Sequence, residues 1–288
     1  MTLQTYLGQK LSPKTVKLYL RDIDIYLHDI SEGKAKKATW PDIMGYVGHL
    51  RTRYHNAQTI TRILYAIKAY YNWLVETGAR EGHPCRGIKL LDAKGQPLQL
   101  QGLFKTEELE KLMGREERFS TVGLKNQVIT SLLIYQGITT DEVIRLKARD
   151  INLETGNINI KPTRKLNGRT LPLKPAQVML FYKYLGEIRP KLVKDNTNET
   201  FLVNLRGSPI TSDNIQYLIE TMQNRSPGRK LNPQTIRMSV IHNMLKAGHD
   251  LRMVQVFAGH KKISSTERYQ PSASEALKTA VNRYHPLG

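Results

Sequence analysis

Residues 258–269 read Ala258-Gly259-His260-Lys261-Lys262-Ile263-Ser264-Ser265-Thr266-Glu267-Arg268-Tyr269, and the reading of the fold turns on what surrounds them. Just before them, Leu251, Val254, Val256 and Phe257 form an apolar stretch. Further upstream, residues 241–248, IHNMLKAG, have the pattern of a helix with a glycine stop, and residues 231–237, LNPQTIR, lead into it. Taken singly, the polar residues have plain structural accounts: Arg237 as a surface cation, His260 as a capped turn residue, Tyr269 as a half-buried tyrosine. Their order and context give them more weight than that.

Moving outward, helical patterns continue over most of the chain. Ser12-Pro13 supplies a cap and a first-turn proline before Val16, Tyr19, Leu20, Ile23 and Leu27. A second helix is expected from Trp40-Pro41 through Ile43 and Val47 to about Leu50. A third places Ile63, Ile67, Tyr70, Tyr71 and Leu74 on one face, with Gly78 as its C-terminal cap and Arg62 and Lys68 on the other face. Those aromatics read as core and not as base-stacking groups. Residues 91–102, LDAKGQPLQLQG, are linker-like. Beyond them, Thr106-Glu107-Glu108 caps a helix carrying Leu109 and Leu112. Residues 128–135 form an apolar helix stopped by Gly137, and residues 141–146 another. Residues 158–161 and 170–173 predict a hairpin around the basic turn 163–169, TRKLNGR, and residues 200–203 a short strand. The expected class is mainly α with a small antiparallel sheet: a helical domain over 1–92, a linker over 93–102 and a second domain over 103–288.

Composition narrows the function. The chain of 288 residues carries 44 Lys and Arg against 25 Asp and Glu, a formal net charge of +19. With 40% hydrophobic and 24% charged residues it is a folded and not a disordered chain. The excess, spread over both halves, favours a polyanionic partner, nucleic acid or an acidic membrane surface, over a merely soluble basic protein. The single cysteine, Cys85, excludes an internal disulfide and a four-cysteine zinc site, and fits a reducing intracellular compartment. The opening MTLQTYLGQKLSPKT has no apolar secretory core, and no run of about 18 apolar residues spans a membrane. The eight histidines show no His-x-x-x-His pair, and no Walker-type glycine loop occurs. No metal, nucleotide or other cofactor is expected, and no membrane partner.

Against this background residues 258–269 resemble the L-G-H-x-x-I-x-T-T-x-x-Y stretch of the tyrosine recombinase (phage integrase) family, Gly259-His260 and Tyr269 carrying the likeness. Residues 231–237 look like that family's P-H-x-x-R segment, and residues 137–153 resemble its G-x-R-x-x-E-x-x-x-L-x-x-x-D-I segment. Residues 10–90 resemble, more diffusely, its helical core-binding (SAM-like) domain. The resemblance implies a two-domain clamp on duplex DNA. It also implies site-specific cleavage and rejoining through a 3′-phosphotyrosine, in integration, excision or resolution, without metal or ATP. Position by position, Tyr269 matches the nucleophile, and Arg237 the second of two arginines clamping the scissile phosphate. A planar guanidinium offers paired donors to non-bridging oxygens. His260 matches a hydrogen-bond donor to that phosphate. The hairpin lysine that protonates the leaving 5′-oxygen falls at Lys165, with Arg164 its neighbour; only lysine has an accessible proton-transfer range. Arg62, Lys68, Arg164, Arg169 and Lys261 are the candidates for DNA binding. The implied partners are double-stranded DNA, further copies of the chain in a tetramer on paired sites, and accessory DNA-bending proteins. The implied compartment is the cytoplasm, at the nucleoid.

Two departures stand out. Thr139 occupies the place of the first arginine, although Gly137, Glu142, Leu146 and Asp150 keep theirs, and Gln234 replaces the histidine of the P-H-x-x-R segment. Glutamine can donate a hydrogen bond but cannot pass a proton. Loss of one charged donor lowers such rates by a factor on the order of 10²–10³. Arg145, Arg164 and Arg169 are the residues that could offset it. The alternative reading is therefore a recombinase-like DNA-binding protein with weak or no strand cleavage; a third is an unrelated basic helical regulator. After the tyrosine, Ser272-Ala273-Ser274-Glu275 has capping-box spacing before Leu277, Val281 and Tyr284. That predicts a short C-terminal helix whose apolar stripe docks on a neighbouring copy or on its own domain.

Overall fold

In the computed structural model, which describes residues 1–91, 100–193, 198–225 and 228–270, the chain divides into two compact units, Met1–Gln96 and Pro97–Gly288. The first unit runs α1 (Leu3–Lys10), α2 (Pro13–Ile30), α3 (Glu32–Lys37), α4 (Trp40–Arg53) and α5 (Ala57–Glu76). Thr2, Ser12 and Asn56 each accept a backbone N–H at a helix start, satisfying donors that the first turn leaves open. Helices α2, α4 and α5 stand where the apolar spacing places them. The other two escape the pattern because they are short: α1 buries only Tyr6 and Leu7, and α3 only Ala35. Tyr26 and Tyr71 fill the core, their hydroxyls 2.6 Å apart, with Tyr71 donating to the Ala35 carbonyl at 2.8 Å. The aromatic face of α5 is thus core, as expected.

The second unit contains α6 (Thr106–Glu110), α7 (Ser120–Tyr135), α8 (Thr140–Arg145), β1 (Ile151–Asn152), β2 (Asn157–Ile160) and β3 (Arg169–Pro172). It continues with α9 (Pro175–Lys183), α10 (Arg189–Leu192), α11 (Ser212–Glu220), α12 (Pro233–Lys246), α13 (Leu251–Ala258) and α14 (Ser264–Glu267). The sheet is antiparallel in the order β1-β2-β3, with Ile158 opposite both Ile151 and Leu171. The core joins Val128, Leu132 and Ile138 to Ile158, Phe181, Phe201 and Ile236.

Several expectations need correction. The hairpin carries a third strand, β1, too short to show an alternation. Residues 200–203 form no strand; they make only the isolated bridges Lys147–Thr200 and Val203–Pro209. Phe201, Leu202 and Val203 are all buried, so their apolar character marks a loop crossing the core. The cap of α6 is Lys105, not Thr106: the Glu108 carboxylate accepts from the Lys105 N–H at 2.7 Å. Residues 100–102 of the expected linker form a 3₁₀ turn. Residues 92–99, and the expected tail helix after Gln270, lie outside the described residues.

One buried polar pair aims the chain at the site. Gln136 and Gln177 exchange both amide hydrogen bonds at 2.9 Å, fastening the end of α7 to the start of α9. Gly137 then turns the chain at φ +56°, where a Cβ would meet Val240 Cγ1 at 3.1 Å. No helix among the described residues is long and apolar enough to cross a membrane.

Candidate active site

The chain leaving Gly137 reaches Thr139, which caps α8. Its hydroxyl accepts from the Glu142 N–H at 3.2 Å, while its own N–H and hydroxyl donate to Glu142 Oε2 at 2.8 and 2.9 Å. Thr139 is therefore a helix cap locked onto Glu142. That carboxylate is buried and also accepts from Arg169, Nη1 to Oε1 at 2.6 Å and Nη2 to Oε2 at 3.3 Å. Burial acts to raise the Glu142 pKa; the Arg169 hydrogen bonds, the Thr139 N–H and Arg237 overcome it, and the net direction is down.

Arg169, expected among the DNA-contacting cations, is instead buried, its side chain 2% exposed. Strand β3 puts Arg169 and Leu171 on the inward face and Thr170 outward. Arg237, on α12, is the second buried guanidinium. Its Nη1 donates to the Gly137 carbonyl and its Nη2 to the Ala258 carbonyl, both at 2.6 Å, and Nη1 lies 4.0 Å from Glu142 Oε2. Three of its five N–H groups stay uncommitted by these two bonds. Burial, with Arg169 nearby, draws its pKa down while Glu142 draws it up.

Gly259 ends α13 at φ +72°, and a Cβ there would come within 2.5 Å of Arg169 Nη1. Only glycine satisfies both the backbone and the guanidinium. The next residue, His260, is buried and pairs by an isolated bridge with Leu166, while the Asn167 N–H donates to the Gly259 carbonyl at 2.8 Å. The basic turn after β2 is thereby stitched to the histidine segment, with Lys165 adjacent to the bridge. Thr163 shapes that turn, its hydroxyl accepting from the Leu166 N–H at 3.0 Å.

His260 Nδ1 meets the Thr266 hydroxyl at 2.8 Å. Burial, then the charges of Arg237 and Arg169, lower the imidazole pKa from 6.5 to about 4, so the ring is neutral near pH 7. Two residues past α14, the Tyr269 ring lies nearly parallel to it, 17° between planes and 6.1 Å between centres. The Tyr269 carbonyl accepts from His242 Nδ1 at 2.8 Å.

The structure thus gathers Tyr269, Arg237, His260, Thr139 and the Lys165 turn, and adds Glu142, Arg169 and His242. Alternation along β3 was the signal available for Arg169. Gln234 is exposed in the first turn of α12, three residues before Arg237. Arg164, Lys165 and Lys261 are exposed. Arg62 and Lys68 belong to the first unit and serve it internally: Arg62 pairs with buried Asp22, and Lys68 donates to the Ile88 and Arg86 carbonyls at 2.5 and 3.2 Å. Among the described residues no three His, Cys, Asp or Glu side chains gather as a metal cage.

A tyrosine beside a neutral histidine and a buried arginine, on a mainly helical unit preceded by a separate helical one, is the make-up of a site-specific recombinase of the tyrosine type. The chain belongs to the phage integrase family: residues 103–276 match that family's profile, and residues 3–78 match its N-terminal SAM-like domain. It is 28% identical over 287 residues to tyrosine recombinase XerD of Listeria monocytogenes serotype 4b (strain F2365), covering 96% of this chain and 94% of that protein. It is 26% identical over 282 residues to XerD of Staphylococcus aureus (strain N315), with the same coverage of 96% and 94%. Among solved structures, the fold is similar to XerH site-specific recombinase bound to palindromic difH substrate in a post-cleavage complex. That likeness has a TM-score of 0.72 and 19% identity over 96% of this chain and 80% of the other. It is also similar to the Tn1549 transposon integrase in complex with a circular intermediate DNA, with a TM-score of 0.70 and 15% identity over 98% and 99%.

Proposed function

We propose that this recombinase cleaves and rejoins duplex DNA with Tyr269 as its nucleophile. The phenolic oxygen attacks the scissile phosphorus, the bond to the 5′-oxygen breaks, and a 3′-phosphotyrosine holds the strand until the reverse attack rejoins it. Arg237 directs its free N–H groups at the non-bridging oxygens. With Thr266 donating to Nδ1, His260 keeps its proton on Nε2 and gives it as a hydrogen bond to the same phosphate. Lys165 protonates the departing 5′-oxygen. Gln234, one turn from Arg237, adds a neutral donor. Arg169 holds Glu142 in a two-point ion pair, so that this carboxylate does not cancel the Arg237 charge that faces the phosphate.

The observation that carries this reading is the Leu166–His260 bridge, which ties the lysine turn to the segment bearing both histidine and tyrosine. Nucleophile, clamp and donor in one site favour cleavage over a binding role alone. The substrate is double-stranded DNA, which the XerH and Tn1549 integrase complexes support by analogy. Arg164 and Lys261 contact its phosphates, so affinity falls steeply with salt. The working assembly is a tetramer on paired sites joined through the segment after Gln270 and aided by DNA-bending proteins, and it acts at the nucleoid in the cytoplasm. A nicked suicide duplex, from which cleavage releases a short fragment, tests the chemistry. Wild type should give a covalent protein–DNA band on a denaturing gel and Tyr269→Phe none; no band with wild type would overturn the reading.

A further inference from the structure

We propose that His242 is a positioning residue that fixes the nucleophile by holding the Tyr269 main chain, an inference that rests on Tyr269 being the attacking group. The turn that presents the tyrosine is a slight one. Helix α14 spans four residues, Ser264–Glu267, and beyond it, among the described residues, the Tyr269 N–H to Thr266 carbonyl and Gln270 N–H to Glu267 carbonyl bonds, at 2.9 and 3.0 Å, continue the winding. Carbonyls at the end of a helix lack intrahelical partners. For Tyr269 the partner comes from 27 residues upstream: His242 Nδ1, 2.8 Å from the carbonyl oxygen. His242 is 7% exposed and follows Ile241, which packs with Val254, Ala258 and Tyr269. A carbonyl oxygen accepts only, so Nδ1 carries the proton, and it does so in the Nδ1–H neutral tautomer and in the imidazolium alike.

The placement of His242 on α12 gives the bond its consequence. Arg237 stands on the same helix, bonded to the Gly137 and Ala258 carbonyls. One rigid element therefore holds the phosphate clamp at one point and the nucleophile's backbone at another, and the distance between them is set by the helix. Productive attack needs the reacting atoms roughly 3–3.5 Å apart, and an error of about 1 Å lowers the rate by about 10²-fold. Tyr269 has its ring against His260, but a ring contact alone leaves the backbone free to slide.

The reach of the donor provides the test. Asparagine places its amide nitrogen where histidine places Nδ1, whereas glutamine carries the same amide one bond further out. Covalent-complex formation on the suicide duplex is measured at saturating protein for wild type, His242→Asn and His242→Gln, with site affinity and thermal unfolding measured alongside. We expect His242→Asn within about threefold of wild type and His242→Gln slower by roughly ten- to a hundredfold, with all three binding the site within about twofold. Equal rates for the Asn and Gln variants, or a Gln variant that loses site affinity in step with cleavage, would overturn the positioning role. Should the Gln variant fail to fold, an Asn variant more than tenfold slow overturns it alone. Wild type without any adduct would instead refute the nucleophile itself, and the positioning role with it.

Discussion

Arg169 on β3 and Glu142 on α8 form a two-point ion pair, with Nη1 2.6 Å from Oε1 and Nη2 3.3 Å from Oε2, and both side chains are at most 2% exposed. The pair bonds the hairpin to the helix that Thr139 caps, and Arg237 approaches the same carboxylate at 4.0 Å. Removing one partner of such a pair leaves an uncompensated buried charge. Arg169→Ala should lower stability in urea unfolding by about 3–5 kcal/mol. At a temperature where the variant stays folded, it should also slow covalent-complex formation by a factor on the order of 10². Arg145→Ala, at an exposed position of the same α8, should change stability by less than about 0.5 kcal/mol and the rate by no more than about twofold.

At Thr139 the surroundings disfavour an arginine. The threonine hydroxyl is engaged in a reciprocal cap with Glu142, and both Glu142 oxygens already accept from Arg169. Thr139→Arg should therefore lower stability by about 1 kcal/mol through loss of the cap and should leave covalent-complex formation no faster. An accelerated variant would show that the site lacks a cation at this position and that the Arg169–Glu142 pair does not make up for it.

His260 sets a dependence on pH. Its folded-state pKa of about 4 lies below the ordinary 6.5, so between those values the unfolded chain binds more protons than the folded one. The stability it contributes is complete above about 6.5 and is lost as the pH falls toward 4. Urea midpoints recorded from pH 7 down to 4.5 should decline in wild type, and His260→Gln should flatten that decline. An equally steep variant would contradict the assignment.

Truncation after Gln270 removes the sequence with the Leu277, Val281 and Tyr284 stripe. The shortened protein should fold and bind a single site as the full chain does, but fail to assemble two sites in a gel-shift or sedimentation experiment. Undiminished paired-site assembly would place the stripe on its own domain.

Much of the helical frame was legible because its apolar residues repeat often enough: α5 buries Ile60, Ile63, Leu64, Ile67, Tyr70, Tyr71 and Leu74. Helices α1 and α3 offer too few turns for that. The line of Tyr269, Arg237 and His260 was legible through local motifs. Arg169 was placed among the surface cations because its neighbours Arg164, Lys165 and Gly168 look like a surface turn, although period two along β3 already puts it with Leu171. His242 carried no signal, since its partner is a main-chain atom 27 residues away and no side-chain pattern records a backbone carbonyl. Thr139 read as a loss; only the structure shows the cap that it forms.

The central claim is that the strand is held on one particular tyrosine. Trypsin digestion of the suicide-duplex adduct, followed by mass spectrometry of the DNA-linked peptide, measures this directly. Cleavage after Arg268 and Lys278 should leave residues 269–278, YQPSASEALK, joined to a DNA 3′-phosphate, with a 5′-hydroxyl on the released fragment. A DNA-linked peptide containing a different tyrosine, a 5′-phosphate linkage, or no adduct at all would contradict it.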